Sequence, residues 1–373
     1  MAIAVALLLT GSLVYCVLVL RAVRQYLRVR PAPLRIYEPI SILKPLHGLD
    51  EGLEENLRAC FEQDYIAFEI LFAARDASDP ALALVETLRA EYPNVEIRVI
   101  VTGEPPYPNA KVYSLDKMLA VARNNLLVMS DSDVRVTKDM LRVIAAEFQD
   151  PKLGVATCPY RAISGASLWS ELEAIGMNTE FLSGLLVARM LEGVKFAVGP
   201  TIAARRSALE AIGGFETLQA YLAEDFVMGN RAAEAGLGVI LSSYVVEHRI
   251  GSQGFAANMR HRLRWARSTR RSRPAGYVGQ FFTNPFPIAL LLVAVNSAWW
   301  PMLLVTLLLR FAIAWACGVQ VLRCKLTVRF WILLLVQDVA SFVFWAAGFF
   351  GNTILWRGRK YYLRKDGRFE LIS

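Results

Sequence analysis

The sequence has 373 residues, of which 55% are hydrophobic and 20% are charged, and its mean hydropathy is +0.37. This composition excludes an ordinary soluble enzyme and predicts membrane segments. The formal net charge of +8 is compatible with a nucleic acid, an anionic lipid or an anionic substrate as partner. Five cysteines without a CxxC pair and three scattered histidines argue against a disulfide framework and a zinc site, and they indicate a reducing compartment.

The basic residues are concentrated beside apolar segments. They follow the first apolar run (Arg21, Arg24, Arg28, Arg30, Arg35), precede the next (Arg260, Arg262, Arg264, Arg267, Arg270, Arg271, Arg273) and occupy the C-terminal tail (Arg357, Arg359, Lys360, Arg364, Lys365, Arg368). Basic clusters that flank apolar segments are typical of cytoplasmic loops beside a membrane. The aromatic–basic pattern of single-strand binders is missing from the sequence, so we expect a lipid bilayer and no nucleic acid as partner.

The N-terminal apolar run, residues 2–20, is long enough to cross a bilayer as a helix with a rise of about 1.5 Å per residue. A signal peptide is the alternative, but the run has no preceding charge and no small-residue cleavage site before the arginines. We therefore predict a transmembrane anchor over residues 1–21, with its C-terminal side in the cytoplasm.

Residues 36–255 have the composition of a soluble α/β domain. Short apolar runs predict strands, and the segments between them have helical spacing: strands 40–43, 68–74, 95–101 and 125–130, helices 51–63, 80–92 and 112–124. This alternation predicts a doubly wound, mostly parallel sheet. Ligands of such sheets bind beyond the carboxyl ends of the strands.

The sequence after residue 283 is apolar again. The apolar runs cover about 285–309, 311–322 and 330–350, which fits two or three spans. The predicted parts are a basic interfacial segment at 256–283, transmembrane helices within 284–352 and a basic tail at 353–373. We expect a multi-pass protein with its soluble domain on the cytoplasmic side, as in a bacterial inner membrane.

Acidic residues follow two of the predicted strands. Asp79 precedes Pro80 and is predicted to cap a helix, whereas Asp76 is predicted to bind the base or ribose of a nucleotide. Asp131 and Asp133 follow the fourth strand and offer two hard oxygen ligands, which suits Mg²⁺ or Mn²⁺ holding a diphosphate. The alternative for this pair is two solvated loop acids.

Two further motifs lie towards the C-terminus. Glu224 and Asp225 stand near the start of a predicted helix, where they could favour its N-terminal dipole, or where Asp225 could act as a general base on a hydroxyl group. His261, Arg264 and Trp265 lie in the arginine-rich segment, which reads as an interfacial amphipathic helix. Within it, Arg264 could pair with a diphosphate and Trp265 could form an apolar wall.

The order Asp76, Asp131, Asp225 and then His261-x-x-Arg264-Trp265 resembles the D, D, D, (Q/R)xxRW signature of ceramide glucosyltransferases, which are inverting family 21 glycosyltransferases with the GT-A fold. The resemblance covers nearly the whole chain. Shared segments are Leu43-Lys44-Pro45-Leu46, Tyr92-Pro93-Asn94-Val95, Asn109-Ala110-Lys111, Asp131-Ser132-Asp133-Val134-Arg135-Val136, Gly213-Gly214-Phe215 and Ala223-Glu224-Asp225. His261 departs from the family pattern, and this departure is compatible with a bacterial subgroup, some of whose members act on hopanoids.

The resemblance implies a transfer reaction, a fold and a set of site residues. The donor would be a UDP-sugar carrying glucose or N-acetylglucosamine, the acceptor a membrane lipid such as ceramide or a hopanoid, and the cofactor Mg²⁺ or Mn²⁺. The implied roles are Asp225 as base, Lys44 and Asp76 near the uridine, Lys111 at phosphate, Asp131 and Asp133 at the diphosphate and metal, and His261, Arg264 and Trp265 at the acceptor or diphosphate.

Three other readings remain open at this point. Diacylglycerol could replace ceramide as the acceptor of the same chemistry. A processive polysaccharide synthase shares the fold and a related RW motif, but its pore needs more spans than these apolar runs offer. A catalytically inactive nucleotide-sugar sensor would not need the three motif acids and the RW pair, all of which are present.

Overall fold

The computed structural model of the chain describes residues 1–356 and 358–372, so Arg357 of the predicted basic tail lies outside the described residues. The chain forms two compact units, each assembled from three separate stretches of sequence. Unit 1 comprises Met1–Val29, Arg161–Gly193 and Ser252–Leu363, and unit 2 comprises Arg30–Tyr160, Val194–Gly251 and Arg364–Ser373.

Unit 2 contains a seven-stranded sheet. Its strands, in order across the sheet, are β3 (Glu96–Val101), β2 (Phe68–Ala74), β1 (Ile40–Pro45), β4 (Leu126–Ser130), β8 (Thr201–Arg205), β6 (Leu153–Thr157) and β9 (Gly238–Leu241). β8 is antiparallel to both of its neighbours, and the other pairs are parallel. The mostly parallel sheet and its first four strands are confirmed. The antiparallel β8 departs from strict alternation, because the chain reaches it through residues 161–193 and not through a single crossover helix.

The helices of unit 2 flank this sheet. They are α2 (Leu53–Phe61), α3 (Pro80–Glu91), α4 (Ala110–Val121), α5 (Met140–Glu147), α8 (Arg206–Ala211) and α9 (Glu224–Glu234). The predicted helices at 51–63, 80–92 and 112–124 correspond to the first three. Asp79 accepts a hydrogen bond from the backbone N–H of Ala81 ahead of Pro80, which confirms its predicted capping role. Leu115 and Met118 of α4 are buried in the core against Leu43 and Leu127 of the sheet.

Two short strands extend unit 2 beyond the main sheet. β5 (Val134–Arg135) pairs antiparallel with β10 (Val246–Gly251), so that His248 lies opposite Val134. β7 (Tyr160–Ser164) lies where the chain passes from unit 2 to unit 1.

The C-terminal residues return to unit 2 after the last long helix. In β13 (Phe369–Leu371), Phe369 is 1% exposed and its N–H donates to Ala220 O over 2.9 Å. The Arg368 guanidinium lies over the ring of Tyr221, 5.7 Å from its centroid. This segment therefore packs against the loop that precedes α9.

Unit 1 is mainly helical. Its helices are α1 (Ala2–Tyr26), α6 (Leu168–Gly176), α7 (Leu182–Glu192), α10 (Phe255–Ser272), α11 (Pro274–Gly279), α12 (Pro285–Val295), α13 (Trp300–Trp315) and α14 (Val328–Gly348). π-Helical segments at Met177–Phe181 and Ala316–Val321 continue α6 and α13, and a hairpin of β11 (Thr353–Trp356) and β12 (Arg359–Leu363) follows α14.

Three helical segments of the described residues are long and apolar enough to cross a membrane: Ala2–Tyr26, Ser297–Val321 and Val328–Gly348. A bent pair, Pro274–Thr283 with Pro285–Val295, could add a fourth, with an angle of 59° between its halves. The predicted run 285–309 is not one helix, because Asn296 is extended and ends α12, while Pro301 fits only the first turn of α13. The predicted run 311–322 continues α13 without a break.

Residues 161–193 belong to unit 1, although the composition placed them inside the predicted soluble domain at 36–255. α6 packs against α14, and α7 packs against α1, where the hydroxyl groups of Tyr15 and Ser183 lie 3.0 Å apart. Neither α6 nor α7 is long and apolar enough to cross a membrane, so composition alone does not indicate that they pack with the long apolar helices.

A buried ion pair joins two of the long helices of unit 1. Arg310 of α13 and Asp338 of α14 form two hydrogen bonds of 2.7 Å, and both residues are at most 2% exposed. Arg310 also donates to Thr179 Oγ1 over 3.0 Å. A bidentate arginine–aspartate pair satisfies both charges where water is excluded, and it fixes the rotation of each helix about its axis.

Candidate active site

The loop after β4 carries Asp131 and Asp133, and Lys44 of β1 binds this loop through hydrogen bonds. Lys44 Nζ donates to Asp131 O over 2.6 Å, and to Ser130 Oγ and Val134 O over 3.3 Å each. Lys44 is 0% exposed, so its three N–H groups are used inside the protein. This lysine holds the aspartate loop in place, and its expected contact with the uridine stays a prediction.

Lys111, near the start of α4, forms an ion pair with the first aspartate of that loop. Its Nζ lies 2.7 Å from Asp131 Oδ1 and 3.3 Å from Glu224 Oε1, and it donates to Gly199 O over 3.3 Å. Burial alone would lower the pKa of Lys111, but Asp131 and Glu224 outweigh it and the pKa is raised. Lys111 therefore carries a positive charge among several carboxylates.

Asp133 faces His248 of β10. His248 Nε2 lies 3.1 Å from Asp133 Oδ2. Burial would raise the pKa of Asp133, but His248, together with Lys44 and Lys111, outweighs burial and the pKa is lowered. Burial raises the pKa of the neighbouring Asp131, and the Lys111 ammonium offsets this only in part. The two acids of the loop therefore differ in basicity, and Asp133 is the more firmly ionised.

The donor set around this loop suits a divalent cation that a ligand helps to hold. Asp133 Oδ1 is buried and accepts no hydrogen bond within the described part of the chain, so a carboxylate oxygen remains for a cation. Among residues 1–356 and 358–372, no group of three or more His, Cys, Asp or Glu side chains forms a complete metal site. Mg²⁺ is commonly held by one or two carboxylates together with water and substrate phosphates, which this donor set can accommodate.

Asp225 lies in the first turn of α9, next to Glu224. Burial and the charge of Glu224 raise the pKa of Asp225 to about 7, against the opposing effect of Lys111. A Cβ atom at Gly199 would lie 3.1 Å from Asp225 Oδ2 and 3.6 Å from Lys111 Nζ. A carboxyl with a pKa near neutrality is suited to take up a proton in catalysis.

Asn109 connects these groups from the N-terminal end of α4. Its Oδ1 accepts from Val112 N over 3.1 Å as a helix cap, while its Nδ2 donates to Tyr221 O over 2.9 Å and to Glu224 Oε2 over 3.3 Å. Asn109 is 0% exposed. One amide therefore fixes the start of α4 relative to the start of α9, and so Lys111 relative to the acidic pair.

Asp76 is exposed at the carboxyl end of β2, as the sequence predicted. Its Oδ1 accepts hydrogen bonds from the N–H and the hydroxyl of Ser78, over 2.9 and 2.8 Å, and these bonds lower its pKa. The carboxylate is thus ionised and held in a local turn. A contact of Asp76 with a nucleotide stays a prediction.

His261, Arg264 and Trp265 lie on α10 of unit 1. His261 Nδ1 lies 2.6 Å from Glu173 Oε1 on α6, and the ring centroids of His261 and Trp265 are 5.5 Å apart. Arg264 is half-buried one turn along the helix from His261. The structure brings these three residues together on one helix within unit 1, and their contact with an acceptor or diphosphate stays a prediction.

Sequence reasoning missed the parts of the site that come from distant strands. His248 was set aside as one of three scattered histidines, although it follows Asp133 by 115 positions and meets it through the β5–β10 pairing. The role of Glu224 as a partner of Lys111 was also missed. The only local signal for His248 is its place in an alternating strand, Val246–Gly251, where it is one of the buried positions.

The sequence matches the family described as "Glycosyl transferase family 21" over residues 3–369. It is 29% identical over 223 residues to "Ceramide glucosyltransferase 1" of Caenorhabditis elegans. The aligned residues make up 59% of this chain and 47% of that protein, so this chain spans about half the length of that relative. "Ceramide glucosyltransferase 3" of the same organism is 24% identical over 341 residues, or 88% of this chain and 73% of the relative. The resemblance seen in the motifs is thereby confirmed.

The fold is similar to that of the mannosyltransferase PcManGT from Pyrobaculum calidifontis, solved with GDP-Man and Mn²⁺. The two structures superimpose with a TM-score of 0.54 at 18% identity, over 92% of this chain and 98% of the other. The predicted GT-A fold is confirmed.

Proposed function

This chain belongs to glycosyl transferase family 21, and on that premise we propose that it transfers a hexose from a UDP-sugar to a hydroxyl group of a membrane lipid. Glucose and N-acetylglucosamine are the candidate sugars. Ceramide is the first candidate acceptor, because relatives carry that name, and a hopanoid or diacylglycerol is the alternative. The acceptor side of the proposal is supported by the three segments long and apolar enough to cross a membrane.

The observation that carries the proposal is the carboxyl of Asp225, whose pKa is raised to about 7 beside a cluster of acids bridged by Lys111. In the proposed reaction Asp225 accepts the proton of the acceptor hydroxyl while that oxygen attacks the anomeric carbon of the sugar. The bond from the anomeric carbon to UDP breaks in the same step, so that the configuration inverts. Asp225 holds the proton when the new glycosidic bond is complete.

Asp131 and Asp133 would hold Mg²⁺ or Mn²⁺ together with the diphosphate of the donor, and the cation would stabilise the negative charge of the leaving UDP. Lys111 supplies a fixed positive charge beside the same carboxylates. Lys44 orients the loop from beneath through its three hydrogen bonds. Asp76, at the end of β2, is proposed to accept hydrogen bonds from the uridine.

The test is a transfer assay with the purified full-length protein. Radiolabelled UDP-glucose or UDP-N-acetylglucosamine is incubated with Mg²⁺ or Mn²⁺ and with ceramide, bacteriohopanetetrol or diacylglycerol in separate reactions. We expect lipid-soluble label with one donor and one acceptor class, and none with Asp225→Asn. Asp64→Asn is the matched control, because Asp64 is an exposed carboxylate paired with Arg142 on the surface of unit 2.

Label that enters no lipid while UDP-sugar still binds would contradict the proposal. Label that elongates into a water-insoluble polysaccharide would favour the processive-synthase reading instead.

A further inference from the structure

Asp225 lies in the first turn of a helix that has no side-chain cap. Ala223 is the N-cap residue of α9, and its methyl group cannot accept a hydrogen bond from the free N–H groups of the first turn. In the loop before α9 (residues 219–223), Gln219 and Ala220 line a cavity of about 680 Å³, so this loop is incompletely packed on that side. An uncapped helix start beside open space favours local opening. The position of Asp225 therefore depends on the contacts of the loop that leads into it.

Tyr221 connects this loop to other elements of unit 2. Its carbonyl oxygen accepts a hydrogen bond from Asn109 Nδ2, at the start of α4, over 2.9 Å. Its ring lies beside two guanidinium groups, those of Arg231 in α9 and Arg368 near the C-terminus, each 5.7 Å from the ring centroid. A guanidinium group is attracted to the face of an aromatic ring at such distances. Tyr221 thereby links α4, α9 and the C-terminal residues, four positions before Asp225.

The C-terminal strap, residues 364–372, binds the same loop from the far end of the sequence. The N–H of Phe369 donates to Ala220 O over 2.9 Å, and Phe369 is 1% exposed. Arg368 forms an antiparallel β-bridge with Tyr221, and its Nε donates to the Tyr221 hydroxyl over 3.4 Å. The strap therefore holds two consecutive residues of the loop through both backbone and side-chain contacts.

We propose that the C-terminal strap is a positioning element for the reaction: through Arg368 and Phe369 it holds the loop before α9, and so keeps Asp225 in place to take up the acceptor proton. The inference rests on the proposed lipid transfer. Both strap residues act through Ala220 and Tyr221 and not on the substrate. Because small displacements of a reacting group are costly, loss of these contacts lowers kcat more than it lowers the affinity for UDP-sugar.

The first measurement follows the loop itself and does not depend on turnover. Hydrogen–deuterium exchange of the full-length protein in lipid nanodiscs is measured by mass spectrometry. Arg368→Gln should speed amide exchange about threefold in the peptide that covers residues 219–226, because the contact with the Tyr221 ring is lost. Arg368→Lys, whose ammonium group can also lie over the ring, should restore slow exchange. Lys365→Gln is the matched control, because it removes the same charge from an exposed strap residue.

The second measurement relates the strap to sugar transfer. The value of kcat at saturating acceptor is expressed per UDP-sugar site titrated by calorimetry, so that a misfolded fraction does not lower it. Phe369→Ala should lower this kcat about tenfold, without a comparable loss of UDP-sugar affinity. Phe369→Leu keeps most of the buried apolar volume and should retain kcat to within about threefold of the wild type.

The outcomes distinguish this inference from the proposed function. Unchanged exchange of the loop in Arg368→Gln, or equal losses of kcat and UDP-sugar affinity in Phe369→Ala, would overturn the positioning role of the strap. Faster exchange confined to residues 219–226, in a protein that transfers no sugar to any lipid, would support the attachment of the strap and contradict the proposed transfer. Transfer by the wild type with an unchanged kcat per site in Phe369→Ala would do the reverse.

Discussion

Lys111 Nζ lies 2.7 Å from Asp131 Oδ1, and through this ion pair the helix α4 is attached to the aspartate loop that follows β4. The same ammonium lies 3.3 Å from Glu224 Oε1, at the start of α9. One positive charge therefore connects the loop predicted to hold the diphosphate with the helix that carries Asp225. A substitution that displaces the aspartate loop is therefore expected to displace the start of α9, and a substitution at the start of α9 is expected to displace the loop.

Asp225→Asn should abolish transfer while UDP-sugar binding survives. The amide cannot take up a proton from the acceptor, and the loss of a general base costs about 10²–10⁴-fold in rate. Transfer is measured with labelled donor, and UDP-sugar affinity is measured by calorimetry on the same preparation. A large loss of UDP-sugar affinity in this variant would show that the role of Asp225 has been misassigned.

The pH dependence of the reaction should follow the raised pKa of Asp225. Only the ionised carboxylate can act as a base, so kcat/KM should fall about tenfold per pH unit as the pH drops below about 7. This fall of kcat/KM at low pH is measured in the wild type at saturating metal. A flat profile between pH 5 and pH 8 would contradict the assignment.

The same pKa predicts how stability varies with pH. Because the folded pKa of about 7 lies above that of an unfolded aspartate, near 4, this group contributes stability that is full below about pH 4 and is lost as the pH rises through about 7. Asp225→Asn removes the loss, so it should raise the free energy of unfolding at pH 8 by on the order of 2 kcal/mol and by much less at pH 5. Thermal unfolding of both proteins at the two pH values checks this; equal differences would contradict it.

Gly199→Ala should lower activity with little change in stability. The new methyl group would lie 3.1 Å from Asp225 Oδ2, so the carboxyl must move by a few tenths of an ångström. Small displacements of a reacting group are costly, and we expect about a tenfold loss of kcat. Gly184→Ala is the control, because a Cβ at Gly184 in α7 meets no atom within 4 Å apart from its chain neighbours and the backbone of its own helix. Equal activities of the two variants would mean that the spacing at Gly199 is not critical.

Asp133→Ala should raise the concentration of Mg²⁺ or Mn²⁺ that half-maximal activity requires. It removes the carboxylate whose Oδ1 accepts no hydrogen bond from the described residues, and we expect metal affinity to fall about 10–100-fold. Direct Mn²⁺ binding is followed by electron paramagnetic resonance alongside the metal titration of activity. Full wild-type activity in excess chelator would overturn the predicted metal site.

Arg310→Met should destabilise unit 1 far more than the double variant Arg310→Met/Asp338→Leu. The single change leaves the buried Asp338 carboxylate unpaired, which costs about 3–5 kcal/mol, whereas the double change removes both charges. Thermal unfolding in detergent compares the three proteins. If the single and double variants unfold alike, the pair does not contribute to stability in the way its burial suggests.

The features that could be predicted from the sequence are those that depend on residues close together along the chain. β1 to β4 and α2 to α4 follow from apolar periodicity, and Asp131 and Asp133 were found because they directly follow a buried strand. His248 could not be found in this way, since its place beside Asp133 depends on the pairing of β10 with β5. The periodicity of residues predicts a single strand or helix, but it does not identify the distant strand with which that strand pairs.

Two other features could not be predicted for the same reason. The sequence does not reveal that three oxygens in and beside the aspartate loop accept hydrogen bonds from the Lys44 ammonium group, because this contact depends on the folded course of the loop. Residues 161–193 were assigned to the soluble domain, because their helices associate with α1 and α14 through packing and not through an apolar run of their own.

Phe369 packs against the loop before α9, and this contact determines when that loop can complete its folding during synthesis on the ribosome. Strands β1 to β6 emerge early, but the partner of Ala220 is synthesised only after all the long apolar helices, 149 residues later. At about 5–20 residues per second, this leaves that loop without its C-terminal support for on the order of ten seconds. The segment leading into Asp225 would thus be among the last parts of the protein to acquire its final packing.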